Sequence, residues 1–255
     1  MAARRVAAAV LAAAVLVAAV LLLARSRSHD PAPPPARGAS VQSPRQVSRV
    51  PPAEVRRRRG PVSARLLRPV QLLERPGGRV VRTLGPRTGY GSRRILAVVA
   101  RRPGWLGVLS QYMPNSRAGW IPAAAAELRF EPYTLHVDLS ARELVVRRER
   151  RALRRITVAI GRSGSTTPTG RFAVTDALRM RRAGGPYGCC ALALTGRQPN
   201  IPQGWTGGDR IAIHGTPNEA TIGTSATSGC LRASNRDMRW LMARVPLGAP
   251  VQVRA

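Results

Sequence analysis

Short apolar segments separated by turn-forming residues run through most of this chain and constrain its fold more than any other feature. From residue 64 onward they are punctuated by Gly and Pro, as at Pro76-Gly77-Gly78. Residues 133–140 alternate strictly between apolar and polar side chains, which is the period of a β-strand. From residue 64 onward, helix signals are confined to residues 235–244, which follow Ser234 with Asp237 three positions later, a capping-box-like start. The sequence therefore predicts a mainly β protein with one clear helix. The other predicted strand segments are 70–73, 80–81, 95–99, 105–108, 119–122, 143–146, 156–160, 171–174, 191–194, 211–213 and 250–253.

The candidate chemistry lies in residues 211–232. An apolar run delivers His214 at the end of a predicted strand, and Cys230 follows sixteen residues later, after a loop rich in Gly, Ser and Thr. A thiol must become a thiolate to attack a carbonyl, and a nearby His can take its proton. Gly229 leaves room for a substrate carbonyl, and backbone N–H groups around it could stabilise an oxyanion. We therefore predict nucleophilic catalysis by Cys230 with His214 as base.

These residues resemble the catalytic motif of the L,D-transpeptidases, cysteine enzymes that cross-link bacterial peptidoglycan. The match comprises His214-Gly215-Thr216 and the run Thr-Ser-Gly-Cys-Leu-Arg at 227–232. Ser228 replaces a frequent His of the family, and Arg232 stands where Asn is often found. Neither change removes the nucleophile or the base.

The resemblance also implies a role for each residue of the site. Cys230 is the nucleophile, His214 the general base and acid, the Gly215 carbonyl orients the His, and the Gly229 backbone serves the oxyanion. Predicted substrate-binding residues are Ser228, Arg232, Thr216 and Tyr187. Arg232 either binds a donor carboxylate bidentately or forms a salt bridge that holds the loop.

A second motif lies upstream, where Thr167-Pro168-Thr169-Gly170-Arg171-Phe172 resembles the family's Thr-Pro-x-Gly-x-Phe/Tyr signature. Taken alone, it would be an ordinary turn between strands. With it, the resemblance covers residues 131–255 and implies a β-sandwich-like L,D-transpeptidase catalytic domain.

Residues 63–130 form a separate predicted module. Closely spaced turns suggest a small barrel or sandwich. The late Gly119-Trp120-Ile121 resembles bacterial SH3-like modules. Trp105 and Trp120 are predicted to pack in its core, with ligand binding as the alternative. A module of this size is marginally stable alone, so we expect it to pack on the catalytic domain.

The N-terminal quarter contains no predicted globular domain. Residues 6–24 are an uncharged run of Ala, Val and Leu long enough to span a bilayer, so residues 1–28 are predicted to be a signal anchor or a signal peptide. Residues 29–62 are rich in Pro and Arg and are predicted to be an extended linker. We expect attachment to the cell membrane with an extracytoplasmic catalytic domain, or secretion if the signal is cleaved.

The net charge of +30 comes from 42 basic residues, all of them Arg, against 12 acidic residues. Such a charge suggests a polyanionic partner. An aromatic content of 4% is too low for a base-stacking platform, and no zinc-finger spacing or RNA-binding motif is present. We therefore interpret the charge as affinity for an anionic wall or membrane surface, with no nucleic-acid partner.

The remaining cysteines, Cys189 and Cys190, are adjacent, and a disulfide between neighbours is geometrically strained. They are predicted to be two small buried residues. The alternative is that one of them traps Cys230 as a disulfide under oxidation.

The predicted reaction is acyl transfer between peptidoglycan stem peptides, which gives a 3→3 cross-link through a Cys thioester, as the resemblance implies. The sequence shows no metal-ligand cluster and no phosphate-binding Gly loop, so no cofactor is implied. Two alternatives remain: an L,D-carboxypeptidase that releases D-Ala to water, and a non-enzymatic wall-binding protein that works through the SH3-like module.

Overall fold

The computed structural model describes residues 60–181, 185–200 and 208–255. The predicted membrane run at 6–24 and the linker up to residue 59 lie outside the described residues. None of the helices in the described residues is long and apolar enough to span a membrane. The chain there is mainly β with a single α-helix, as predicted.

The N-terminal module is a seven-stranded sheet in the order β3-β2-β6-β5-β4-β1-β7, with all neighbours antiparallel. Five of its strands fall on predicted segments; β1 and β7 were not predicted from the sequence. A 3₁₀ turn, Ala123–Ala125, precedes the last strand. The strands are β1 Val62–Leu66, β2 Val70–Leu73, β3 Val80–Leu84, β4 Ile95–Arg102, β5 Trp105–Val108, β6 Gly119–Pro122 and β7 Ala126–Phe130.

Trp105 and Trp120 lie on neighbouring strands of this sheet and are only partly buried. The Arg102 guanidinium lies 5.2 Å from the centre of the Trp120 ring, a cation–π distance. The fully buried side chains of the module are aliphatic, such as Leu72, Leu84 and Ile121. Both tryptophans therefore lie at the margin of the module's core.

The C-terminal residues form an eight-stranded sheet in the order β10-β9-β8-β17-β12-β13-β14-β16, and β11 pairs with β15 apart from it. The pairs β17–β8 and β14–β16 are parallel. The elements are β8 Tyr133–Asp138, β9 Glu143–Arg148, β10 Arg151–Thr157, β11 Ile160–Gly161, β12 Gly170–Arg179, β13 Cys190–Arg197, β14 Arg210–His214, a 3₁₀ turn Glu219–Thr221, β15 Ser225–Thr227, β16 Leu231–Arg232, helix α1 Asn235–Arg244 and β17 Pro250–Arg254.

Strand β12 joins the two halves of this sheet. Its first residues pair with β17, and from Val174 onward it pairs with β13. Apolar side chains from both halves and from α1, among them Leu135, Leu192 and Leu241, form one buried cluster. Ile211, Ile213 and Leu231 belong to this cluster, so the opposite side of β14 and β16 is left for the site.

Helix α1 begins where the sequence predicts. Ser234 is its N-cap, and its hydroxyl oxygen accepts from the Asp237 backbone N–H at 3.0 Å. The Ser234 hydroxyl in turn donates to the Asp237 carboxylate at 2.7 Å. The helix buries Met238 and Leu241 against the sheet, directly after the loop that carries Cys230.

Candidate active site

Strand register brings His214 and Cys230 together. In the parallel pair β14–β16, Ile213 is opposite Leu231 and His214 is opposite Arg232. Ile213 and Leu231 are completely buried in the core, so alternation places His214 and Arg232 on the other face. Cys230 lies one residue before β16, at the position that shares a face with Arg232. His214, Cys230 and Arg232 line a single pocket of about 230 Å³.

His214 is held by its own turn. Its Nδ1 lies 2.6 Å from the Gly215 carbonyl oxygen, the contact that the resemblance implied for Gly215. That carbonyl accepts a hydrogen bond only if Nδ1 carries the proton, which leaves Nε2 as the basic nitrogen. The Tyr187 ring packs edge-on against the imidazole, with ring centres 5.1 Å apart.

Burial determines the protonation state of His214, which is 4% exposed. Burial lowers the pKa of His214 to about 4; the Gly215 hydrogen bond opposes this shift, and the Arg232 charge adds to it. Burial raises the pKa of the Cys230 thiol, while a backbone hydrogen bond from Ala212 and the Arg232 charge lower it. At neutral pH the site therefore holds a neutral imidazole and a thiol, as general-base catalysis requires.

The loop before Cys230 is closed by Thr227, a buried residue that was part of the motif but was not predicted to have a role. Its hydroxyl donates to the Cys230 carbonyl at 2.6 Å and accepts from the Gly229 N–H at 3.1 Å. The Gly229 N–H is thus used inside the loop, and the oxyanion role predicted for this group would require that bond to break. Gly229 has φ +112, and the Gln198 amide occupies the space that a Cβ there would need.

Asn235, the first residue of α1, was missed as a site residue. Its side chain accepts from the Cys189 N–H at 2.9 Å and donates to the Thr216 carbonyl at 2.7 Å. Its oxygen occupies the space that a Cβ on Gly188 or Gly215 would fill, so both positions require glycine. Asn235 thereby ties the start of β13 to the turn that carries His214.

Of the four predicted substrate contacts, Ser228, Tyr187 and Arg232 line the pocket, whereas Thr216 lies outside its lining. Thr216 is buried, and its hydroxyl donates to the Asn218 carbonyl and accepts from the Asn218 N–H, both at 3.1 Å. Its side chain is therefore used to shape the loop after β14.

Arg232 faces the pocket, and no carboxylate among the described residues pairs with it. Its Nη1 donates to the Thr221 hydroxyl at 3.0 Å, and in the described residues its buried Nε has no hydrogen-bond acceptor. The pocket is also lined by Arg162 and Arg210. Asp209, on the same wall, is paired with Arg197. The described pocket therefore has a net positive lining suited to an anionic substrate.

The three cysteines divide into a bonded pair and a free thiol. Cys189 and Cys190 are joined to each other, and Cys230 is free. Cys190 packs in the core, as predicted, and Cys189 lies partly buried against its edge. Neither cysteine traps Cys230 in this structure.

In the described part of the chain, no group of three or more His, Cys, Asp or Glu side chains could hold a metal ion. The arrangement supplies a buried thiol, an oriented base and a cationic pocket, which together suit acyl transfer from an anionic donor.

Comparison with known proteins points in the same direction. Residues 132–253 match the YkuD family, described as an L,D-transpeptidase catalytic domain. YkuD of Bacillus subtilis strain 168, a protein named as an L,D-transpeptidase, is 32% identical over 122 residues, which cover 48% of this chain and 66% of that protein. YqjB of the same organism, named likewise, is 30% identical over 141 residues, which cover 52% of this chain and 76% of that protein.

Among solved structures, an L,D-transpeptidase from Mycobacterium tuberculosis H37Rv is similar with a TM-score of 0.41 and 17% identity, covering 56% of this chain and 67% of that one. Because the match covers 66% of YkuD, this chain spans just under two thirds of the length of that Bacillus subtilis protein.

Proposed function

This chain belongs to the L,D-transpeptidase family defined by the YkuD catalytic domain, and we propose that it forms 3→3 cross-links in peptidoglycan through a thioester on Cys230. The observation that carries the proposal is the shared pocket of His214 and Cys230, with the His214 Nδ1 fixed on the Gly215 carbonyl. This leaves Nε2 as the nitrogen that can take the thiol proton.

The first half-reaction acylates the enzyme. The thiol proton of Cys230 passes to His214 Nε2 as sulfur bonds to the carbonyl carbon that links the third residue of a stem peptide to its terminal D-Ala. The carbon–nitrogen bond to D-Ala then breaks, and the His214 proton goes to the departing amine. A thioester and free D-Ala result.

The second half-reaction releases the product. The amine of a second stem peptide attacks the thioester carbon, and its proton passes through His214 to the Cys230 sulfur as the carbon–sulfur bond breaks. The Arg232 charge favours the thiolate during both steps, because it lowers the pKa of Cys230. Arg162 and Arg210, on the same pocket lining, supply charge for the carboxylates of the donor.

Location and anchoring form part of the proposal. We infer from the apolar run at 6–24 that the chain is held at the cell membrane, with the catalytic residues on the wall side. We also propose that the N-terminal module is an SH3-like domain. The all-Arg charge is suited to an anionic wall or lipid surface.

The test incubates the purified full-length chain with disaccharide-tetrapeptide and reads the products by mass spectrometry, beside Cys230→Ala. A cross-linked dimer that lacks one D-Ala, absent with Cys230→Ala, is the expected result. Tripeptide without dimer would indicate an L,D-carboxypeptidase instead of a transpeptidase, because water would then hydrolyse the same thioester. No product from a folded, reduced enzyme would contradict both reactions and favour a wall-binding protein.

A further inference from the structure

The N-terminal module contacts the end of β13, one residue before the catalytic pocket, through a side chain that bonds to the backbone as a neighbouring β-strand would. The Asn115 amide nitrogen donates to the Arg197 carbonyl at 2.7 Å, and its oxygen accepts from the Arg197 N–H at 2.9 Å. One side chain therefore satisfies both backbone groups of the last residue of β13. This contact fixes the chain at the point where it enters the pocket.

Gln198, the next residue, connects that point to the nucleophile loop. It is 5% exposed, and its amide nitrogen donates to the Thr166 carbonyl at 2.8 Å. The same nitrogen lies where a Cβ on Gly229 would be, so it packs directly on the residue before Cys230. A shift of the Arg197 backbone would carry Gln198 away from this loop.

A second loop of the module reaches another pocket residue. The Thr88 hydroxyl donates to Asp176, whose side chain is completely buried. The other oxygen of that carboxylate lies 3.8 Å from Arg210, which also donates to the Leu194 carbonyl at 2.9 Å. Arg210 lines the pocket, so Thr88 helps to place the carboxylate whose charge lies beside this cation.

Other contacts pack the N-terminal module directly against the catalytic domain. Ala97 and Leu109 of the module form a buried cluster with Ala173 of β12. The Ser116 hydroxyl oxygen accepts from the Arg171 N–H at 2.9 Å. A module that only carried the enzyme to the wall would need none of these contacts with the catalytic domain.

We propose that the N-terminal module is a positioning element of the pocket, in which Asn115 holds Gln198 against the nucleophile loop and Thr88 holds Asp176 and Arg210. The effect of the module on turnover rests on the proposed function. Its effect on the electrostatics of the pocket does not. This positioning role belongs to a region that the matched catalytic-domain residues, 132–253, do not include.

The first experiment measures turnover of disaccharide-tetrapeptide by the full-length chain and by Asn115→Ala. We expect kcat to fall about tenfold with KM within about twofold, because a small displacement of a reacting group costs much of its rate. In a Gln198→Ala background the same substitution should cost less than about twofold, because the effect acts through Gln198. If Asn115→Ala does not fold, Asn115→Asp, which keeps the acceptor oxygen, replaces it.

The second experiment does not need the proposed reaction. Without reductant, alkylation of Cys230 is followed by peptide mass spectrometry with neutral iodoacetamide and with anionic iodoacetate. Thr88→Val should lower the ratio of the iodoacetate rate to the iodoacetamide rate about threefold, because Arg210 moves from its place in the pocket. Thr88→Ser should restore the ratio, and Thr83→Val, on an exposed module position, is the matched control.

The outcomes separate the two proposals. Suppose that the wild-type enzyme forms no cross-links but that Thr88→Val lowers the ratio of the iodoacetate rate to the iodoacetamide rate. This result would contradict the proposed function and support the positioning role. Wild-type kcat and KM in Asn115→Ala together with a wild-type ratio in Thr88→Val would overturn the positioning role, whatever happens to the melting temperatures.

Discussion

The parallel pair β14–β16 and the hairpin β8–β9 present the same local pattern with different results. Each places a histidine on the face opposite a buried apolar row. In the hairpin, His136 is exposed and contacts the Thr134 hydroxyl at 3.1 Å. In the parallel pair, His214 is buried beneath Tyr187. Alternation thus decides which face a side chain takes, and distant segments decide whether that face meets water.

The electrostatics of the two histidines follow from this difference. Burial, then the charges of Arg147 and Arg254, lower the pKa of His136. For His214 the deeper burial lowers the pKa to about 4. A buried neutral imidazole with a fixed tautomer is suited to proton transfer, whereas an exposed one on a flat sheet has no such environment.

The largest expected effect separates the roles of the two histidines. His214→Gln should reduce cross-linking turnover by at least about 10³-fold, because it removes the group that takes the thiol proton. His136→Gln should leave turnover within about twofold, because that side chain lies outside the pocket. Turnover is measured by mass spectrometry of the peptide products.

Both variants are checked for folding by circular dichroism before the rates are compared. Equal losses of turnover in folded His136→Gln and His214→Gln would show that the comparison does not identify the base.

The next effect is on stability and concerns pH. His214 has a folded pKa of about 4 and an ordinary value of 6.5, so the unfolded chain binds more protons between these values. The free energy of unfolding should therefore fall as pH decreases from 6.5 to 4, by about 3 kcal/mol from this residue. Urea unfolding at several pH values should show wild type losing about 3 kcal/mol relative to His214→Gln over this range, because contributions from other groups, such as the raised pKa of Glu131, are common to both proteins. Parallel pH profiles for the two proteins would contradict the buried neutral state.

The hairpin could be predicted almost completely from the sequence, because its information is local. Leu135 and Val137 face the core, as the alternation indicated, and β9 begins at Glu143, the first residue of the predicted segment 143–146. In the parallel pair, only the strand that ends at His214 and the turn at Cys230 were predictable in this way. The pairing of β14 with β16 crosses a loop, and the family resemblance was what placed the two residues together.

The site residues that the sequence did not reveal are those whose contact partners lie far away along the chain. Asn235 appeared only as a helix start, yet it bonds to Cys189, 46 positions away. Gln198 and Arg210 carry no motif, and they became visible only when β13 and β14 were paired. Local propensity has no access to such contacts, since they depend on which strands meet.

A smaller effect tests whether remote contacts build the His214 turn. Asn235→Ala removes the acceptor for the Cys189 N–H and the donor to the Thr216 carbonyl, both partly buried. We expect a loss of about 2 kcal/mol in the free energy of unfolding and a fall in kcat, because the turn loosens. Denaturant unfolding and product analysis measure the two effects.

The matched change in the hairpin is Ser140→Ala, which removes a bond from an exposed hydroxyl to Asp138. It should change neither stability nor turnover measurably. An Asn235→Ala protein as stable and active as Ser140→Ala would show that the His214 turn needs no support from α1.

The smallest effect separates the support of the helix from the chemistry of the site. Ser234→Ala removes the N-cap of α1, where the hydroxyl oxygen accepts from the Asp237 N–H. Loss of a helix cap costs about 1 kcal/mol. Because Met238 and Leu241 remain packed in the core, the helix should stay in place and Asn235 should keep its contacts. We therefore expect a lower midpoint of urea unfolding with kcat within about twofold of wild type, and a large loss of kcat would mean that the cap itself holds the site.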